Sequence, residues 1–137
     1  MIEHAGLSEP ARCDLPAVIS AVREAFERYE AALRRNDVVA LNNFFLRAET
    51  TVRYGLAEEN YGFESIAAYR RAAAPVHPQR KLLRTVISSF GEDLACVSAE
   101  FTDPSSALLG RQTQTWVLTA DGWRIALAHV SRSSSVC

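Results

Sequence analysis

The sequence predicts an α+β domain in which a curved antiparallel sheet wraps over a long N-terminal helix to form an open cone. Three observations carry this. An amphipathic helical stripe occupies the first quarter of the chain, four strand-length runs fill the second half, and the turns between those runs are short. Helices gathered early and a strand meander late fit one layer of helix on one face of a sheet. A sheet curved that strongly is too wide for side chains to fill, so a pocket is expected near its open end.

The helix comes first. Pro16 sits in the opening turn, where its missing N–H costs nothing, and Asp14 is placed to cap it. Val18, Val22, Ala25, Phe26, Tyr29 and Leu33 then recur at three- and four-residue steps along one face. Glu24–Arg28 and Glu30–Arg34 are i,i+4 pairs assigned to the opposite, solvated face. Asn36-Asp37 ends this helix and caps a short second one carrying Leu41, Phe44 and Phe45. Thr51-Val52-Arg53-Tyr54 reads as a strand ended by Gly55, and a loop follows through Glu58, Glu59 and Asn60. A third helix is expected over about 63–73, stopped by Pro75 and Pro78. Four strands complete the domain, at Leu82–Phe90, Leu94–Phe101, Gly110–Leu118 and Trp123–Ser131. Asp121-Gly122 between the last two is the strongest hairpin signal in the chain. The expected division is an arm over 1–13, one cone domain over 14–131 and a fraying serine-rich tail over 132–137.

Composition limits the function. At 137 residues with 48% hydrophobic content, the chain fits one domain with a core of its own. The formal charge of −1, without any basic run, argues against nucleic-acid or membrane-surface partners. No apolar stretch approaches the roughly 18 residues a membrane span needs, and MIEHAGLSEPARCDLP lacks the features of a signal peptide. A cytoplasmic location is expected. Cys13, Cys96 and Cys137 are odd in number and scattered, and His4, His77 and His129 show no metal spacing. No metal site is expected from this spacing.

Candidate site residues are polar groups standing where apolar ones belong. Tyr29 lies on the buried helical stripe, as a core tyrosine bonded to a backbone carbonyl or as a pocket group. Arg53 alternates with Val52 and Tyr54 in an early strand, facing either water or the concave side. Arg70 is a solvated helix charge or a pocket wall. Gln112, Gln114 and Trp116 share one strand face, and Trp123, Ile125, Leu127 and His129 share another. His129 at the end of that row is a structural residue or a donor at the pocket rim.

AFERYEAALRRND at 25–37, TTVRYG at 50–55, NYGFESIAAYRRA at 60–72, RTVISSFGEDLACVSAEF at 84–101, GRQTQTWV and GWRIALAHVS within 110–131 together resemble the AtzH-like family. The family is one of the SnoaL-like, nuclear-transport-factor-like cone folds. The resemblance covers about residues 16–131, with six segments in order. It implies a cofactor-free homodimer acting in ureido-compound catabolism, by removal of a carboxyl group from 1,3-dicarboxyurea to give allophanate during cyanuric acid breakdown. It also implies a pocket pair, a first-helix tyrosine and a first-strand arginine, which match Tyr29 and Arg53 here. Arg70, Gln114 and His129 are expected to bind the small anionic substrate. The alternative is a non-catalytic ureido-acid binder, or an accessory subunit of an amidohydrolase in oxalurate or cyanurate catabolism.

Overall fold

The structure, a computed structural model, describes residues 12–136. Its elements follow the order α1 (Pro16–Arg34), α2 (Val38–Asn43), β1 (Val52–Tyr54), β2 (Glu59–Tyr61), α3 (Phe63–Ala72), β3 (Lys81–Ser89), β4 (Leu94–Asp103), β5 (Ser106–Thr119) and β6 (Gly122–Val136). Six strands form one sheet in the order β2-β1-β6-β5-β4-β3. β3 to β6 are the expected antiparallel meander. β1 joins β6 in parallel, so the sheet is mixed rather than wholly antiparallel. Of the segment expected to be a loop, Glu58 stays in the connection, but Glu59 and Asn60 begin a three-residue strand, β2, paired antiparallel to β1.

The apolar stripe of α1 packs as its spacing dictates. Val22, Ala25, Phe26, Tyr29, Ala32 and Leu33 are all buried, in one cluster with Leu41 and Phe45 from the α2 region and with Val97, Trp116 and Ile125 from the sheet. Asp37 caps α2 by accepting from Ala40 N at 3.1 Å. Asp14 does not cap α1. Its backbone is left-handed (φ 54°), and its carboxylate accepts from Ser89 N at 2.9 Å, so it clamps the chain to the end of β3.

Three further expectations change. Residues 1–11 of the predicted arm lie outside the described residues. Residues 12 and 13 are held against the sheet, Cys13 by a bridge to Phe90 and Arg12 by an ion pair with Glu92. The tail over 132–137 is not loose within the described residues. β5 is 14 residues long, and its extended start pairs β6 as far as Val136. Glu30 does not lie on the solvated face. It is 1% exposed, because it follows Phe26 by four residues and Val22 by eight and so falls on the same stripe.

A buried carboxylate must be hydrogen-bonded and paired to be tolerated. Glu30 accepts from Arg80 Nε at 3.1 Å and Nη2 at 3.2 Å, and from Gln112 Nε2 at 2.7 Å. This joins α1, the segment leading into β3, and the middle of β5. Removing one member of such a pair strands the other charge. Glu30→Ala is expected to lower unfolding free energy by about 3–5 kcal/mol, read from urea denaturation; a loss below about 1 kcal/mol, the scale of a surface pair, would contradict this.

Candidate active site

A cavity of about 400 Å³ opens at the wide end of the cone. Tyr29 and Leu33 of α1 form one wall, and Tyr69 and Arg70 of α3 another. Arg53 of β1 and the loop residues Leu56, Ala57 and Glu58 close a third side. Arg80, Phe101, Asp103, Gln112 and Arg132 complete it from the sheet and the segment before β3. Tyr29, Arg53 and Arg70 are thus brought together as expected.

Gln114 and His129 do not line this cavity. Gln114 is buried on the strand face it shares with Gln112 and Trp116, and its Oε1 accepts from Trp116 Nε1 at 2.9 Å. His129 is on the convex side. Trp116 pairs with Ile125 but Thr115 with Leu127, so Ala126 is an extra residue that inverts the alternation of β6. Ile125 therefore points inward, whereas Leu127 and His129 point outward, and His129 stacks edge-on against Tyr54 at 5.4 Å.

Tyr29 is held by its ring, which makes edge contacts with Phe44 at 5.8 Å and Phe45 at 6.2 Å. Tyr29 lines the cavity, and among the described residues its hydroxyl makes no hydrogen bond to a carbonyl, as a core tyrosine would. Four arginines line the cavity, and three of them hold a carboxylate. Arg53 Nη1 is 2.6 Å from Glu58 Oε2, Arg80 takes Glu30 with two nitrogens, and Arg132 Nη2 lies 3.4 Å from Asp103 Oδ2. Arg70 is 7% exposed, and among the described residues no carboxylate and no hydrogen-bond acceptor meets it. Its described contact is the Tyr69 ring, 5.5 Å from its Cζ, and Arg53 stacks on the same ring at 4.6 Å. With Glu30 behind the wall, these pairs leave one arginine charge uncompensated.

Several of these groups escaped the sequence reading. Arg80 follows two prolines and belongs to no periodic segment. Phe101 is an ordinary inward strand residue, yet the Arg80 guanidinium stacks on it at 3.9 Å and that of Arg132 at 5.2 Å. The ring lies across Gly110, where any side chain would collide with it. Arg132 belongs to the segment read as tail. The alternation of β5 did signal Gln112, through its shared face with Gln114 and Trp116.

A scan against protein-family models matches the AtzH-like family over residues 11–135. The chain belongs to that family. Its fold is shared by a cystatin-like fold protein from Burkholderia xenovorans, 48% identical, with a TM-score of 0.88 over 90% of this chain and 98% of that one. A protein of unknown function from Pectobacterium atrosepticum is 46% identical, with a TM-score of 0.88 over 92% and 98% of the two chains. A ketosteroid isomerase-like protein from Erwinia carotovora is 16% identical, with a TM-score of 0.65 over 88% and 100%, a likeness of fold alone. No curated protein matches the chain. No helix among the described residues is long and apolar enough to cross a membrane.

The pairing at the rim of this AtzH-like cavity has a pH signature. Burial raises the Asp103 carboxyl, but hydrogen bonds from Ser105 and the nearby Arg132 guanidinium outweigh it, and the net direction is downward. A carboxyl whose folded value is lowered stabilises the protein above its unfolded value, about 3.9, and loses that contribution as pH falls through the folded one. Asp103→Asn should therefore lower the melting temperature at pH 7, with the gap to wild type closing below about pH 4. Calorimetry at pH 7 and pH 3 reads this, and a gap of constant size would contradict it.

Proposed function

We propose that this cavity binds a small dianionic ureido compound and removes one of its carboxyl groups, converting 1,3-dicarboxyurea to allophanate in cyanuric acid breakdown. The observation that carries the reading is the meeting on one cavity of Tyr29, Arg53 and Arg70, the last without a carboxylate partner among the described residues. A guanidinium offers a planar fork to a carboxylate, so Arg70 anchors one end of the substrate and Arg53 receives the other. Both arginines stack on Tyr69, which fixes their spacing.

The chemistry then needs a proton. Loss of CO2 from a carbamate leaves the C–N electron pair on nitrogen, and that nitrogen must be protonated as the bond breaks. The Tyr29 hydroxyl supplies this proton and regains one from water, so the dianion plus one proton yields CO2 and the allophanate monoanion. A tyrosine tied to the backbone would favour a binding-only role; a cavity-lining tyrosine without such a bond favours the catalytic one.

The convex face supports a homodimer. Val86, Ser98, Thr113, His129 and Tyr54 lie in register across five strands, and Val86, Leu94, Leu127 and Tyr61 are exposed on or beside this row. A closed twofold pair is the commonest way to cover such a face.

The direct test is turnover of freshly generated dicarboxyurea by purified protein, following CO2 and allophanate. Tyr29→Phe should lower kcat by roughly 10² or more with the melting temperature nearly retained. Arg53→Lys should lose about tenfold to a hundredfold in kcat/KM, because a point charge cannot reproduce the fork. A fully active but less stable Tyr29→Phe would refute Tyr29 as the acid.

A further inference from the structure

Of the three carboxylates that neutralise cavity arginines, two are fixed. Glu30 is sealed in the core with three hydrogen bonds, and Asp103 is held by both Ser105 N and Ser105 Oγ as well as by Arg132. Glu58 differs. It lies in the short connection between β1 and β2, its side chain is 28% exposed, and it reaches into the cavity. Apart from Arg53, its carboxylate accepts from Ala57 N, a direct chain neighbour, at 3.3 Å.

We infer that Glu58 is an internal competitor for Arg53, occupying in the empty cavity the place that the second carboxylate of a bound dianion takes. This rests on the reading of the cavity as a dianion site. The contest is between tethers. A carboxylate free in solution meets an Arg53 already held by a group from the same loop, whose effective concentration is on the order of millimolar or higher. A ligand anchored at Arg70 presents its second carboxylate as a tethered group too, and so competes on equal terms. The geometry allows it, because both guanidinium carbons lie on one ring, at 4.6 and 5.5 Å, and so within about 10 Å of each other, the sum of those distances.

The consequence for turnover follows from charge. A guanidinium that held the departing carboxylate too tightly would stabilise the ground state, which does not accelerate the reaction. Glu58 weakens that hold. When the carboxylate leaves as neutral CO2, Glu58 pairs with Arg53 again, and the monoanionic product keeps Arg70 alone. Glu58 thus sets affinity for dianions and leaves monoanion binding nearly untouched.

Gly55 provides a second way to reach the same contact. A methyl group at Gly55 would overlap the Glu58 carboxylate and come within 2.8 Å of Arg53 Nη1. The φ of Gly55 is not positive, so alanine suits the backbone, and two flexible ends, the Glu58 carboxylate and Arg53 Nη1, must give way. Gly55→Ala therefore breaks the Glu58–Arg53 contact without changing the charge of the cavity but moves both partners, whereas Glu58→Gln adds one positive unit and leaves Arg53 in place.

Titration calorimetry with glutarate and butyrate tests the inference. Glutarate is an unreactive dicarboxylate with three atoms between its carboxyl groups, as in dicarboxyurea, and butyrate has one carboxylate. In Glu58→Gln, glutarate should bind about tenfold tighter than in wild type or more, and in Gly55→Ala tighter by a smaller factor because Arg53 also shifts, while butyrate changes by less than about threefold in both, the scale expected of general charge effects. Glutarate affinity that is unchanged or weaker in both variants overturns the inference, as does butyrate tightening by the same factor or no glutarate binding by any of the three proteins. The titration involves no turnover, so a protein that binds as described but never releases CO2 would sink the decarboxylase reading and leave this one standing.

Discussion

The site depends on one carboxylate placed where a carboxylate should not be. Glu30 is on the apolar stripe of α1, and its burial is tolerable only because Arg80 and Gln112 come to it. That demand brings the segment before β3 back across the sheet. Arg80 then lies flat on Phe101, Phe101 fits only because Gly110 has no side chain, and Arg132 approaches the same ring on its way to Asp103. A chain of neutralised charges therefore runs along the sheet side of the cavity. Arg53 is neutralised by Glu58 on another wall. Arg70 is the cavity arginine that this scheme leaves without a carboxylate.

Among the described residues Arg70 meets no carboxylate, and its guanidinium faces an open cavity rather than a protein acceptor. Its place beside Arg53 and Tyr29 makes sense if a ligand anion completes the pairing. The same logic separates the arginines by role. Arg80 and Arg132 shape the wall, and on the proposed reading Arg53 holds a carboxylate that can be exchanged while Arg70 receives one from the ligand. On the proposed reading, a cavity organised this way favours a ligand with two negative ends over one with a single end.

Much of the fold was legible because its signals were local. The stripe from Val22 to Leu33, the cap at Asp37 and the Asp121-Gly122 turn each act over a few residues. Tyr29, Arg53 and Arg70 were also legible as polar residues in apolar or strand settings. The failures share a cause, which is pairing over long distances in sequence. Glu30 has a helical partner at Arg34, and nothing local shows that Arg80, fifty positions later, outcompetes it. The extra residue at Ala126 is a property of the β5–β6 register, and it turned His129 to the convex face against the simple alternation. The serine-rich end of β6 reads as loose until the length of β5 is known.

The measurement that bears most directly on this account is made on Arg70→Met, followed by thermal unfolding and by glutarate titration. Arg70 holds no carboxylate among the described residues, so replacing it by an apolar side chain of similar length should leave the melting temperature nearly unchanged. The same change should weaken glutarate binding by about tenfold to a hundredfold, through loss of a charged hydrogen-bonding anchor. Glutarate bound as tightly by Arg70→Met as by wild type would contradict the claim that Arg70 is the open end of the charge scheme.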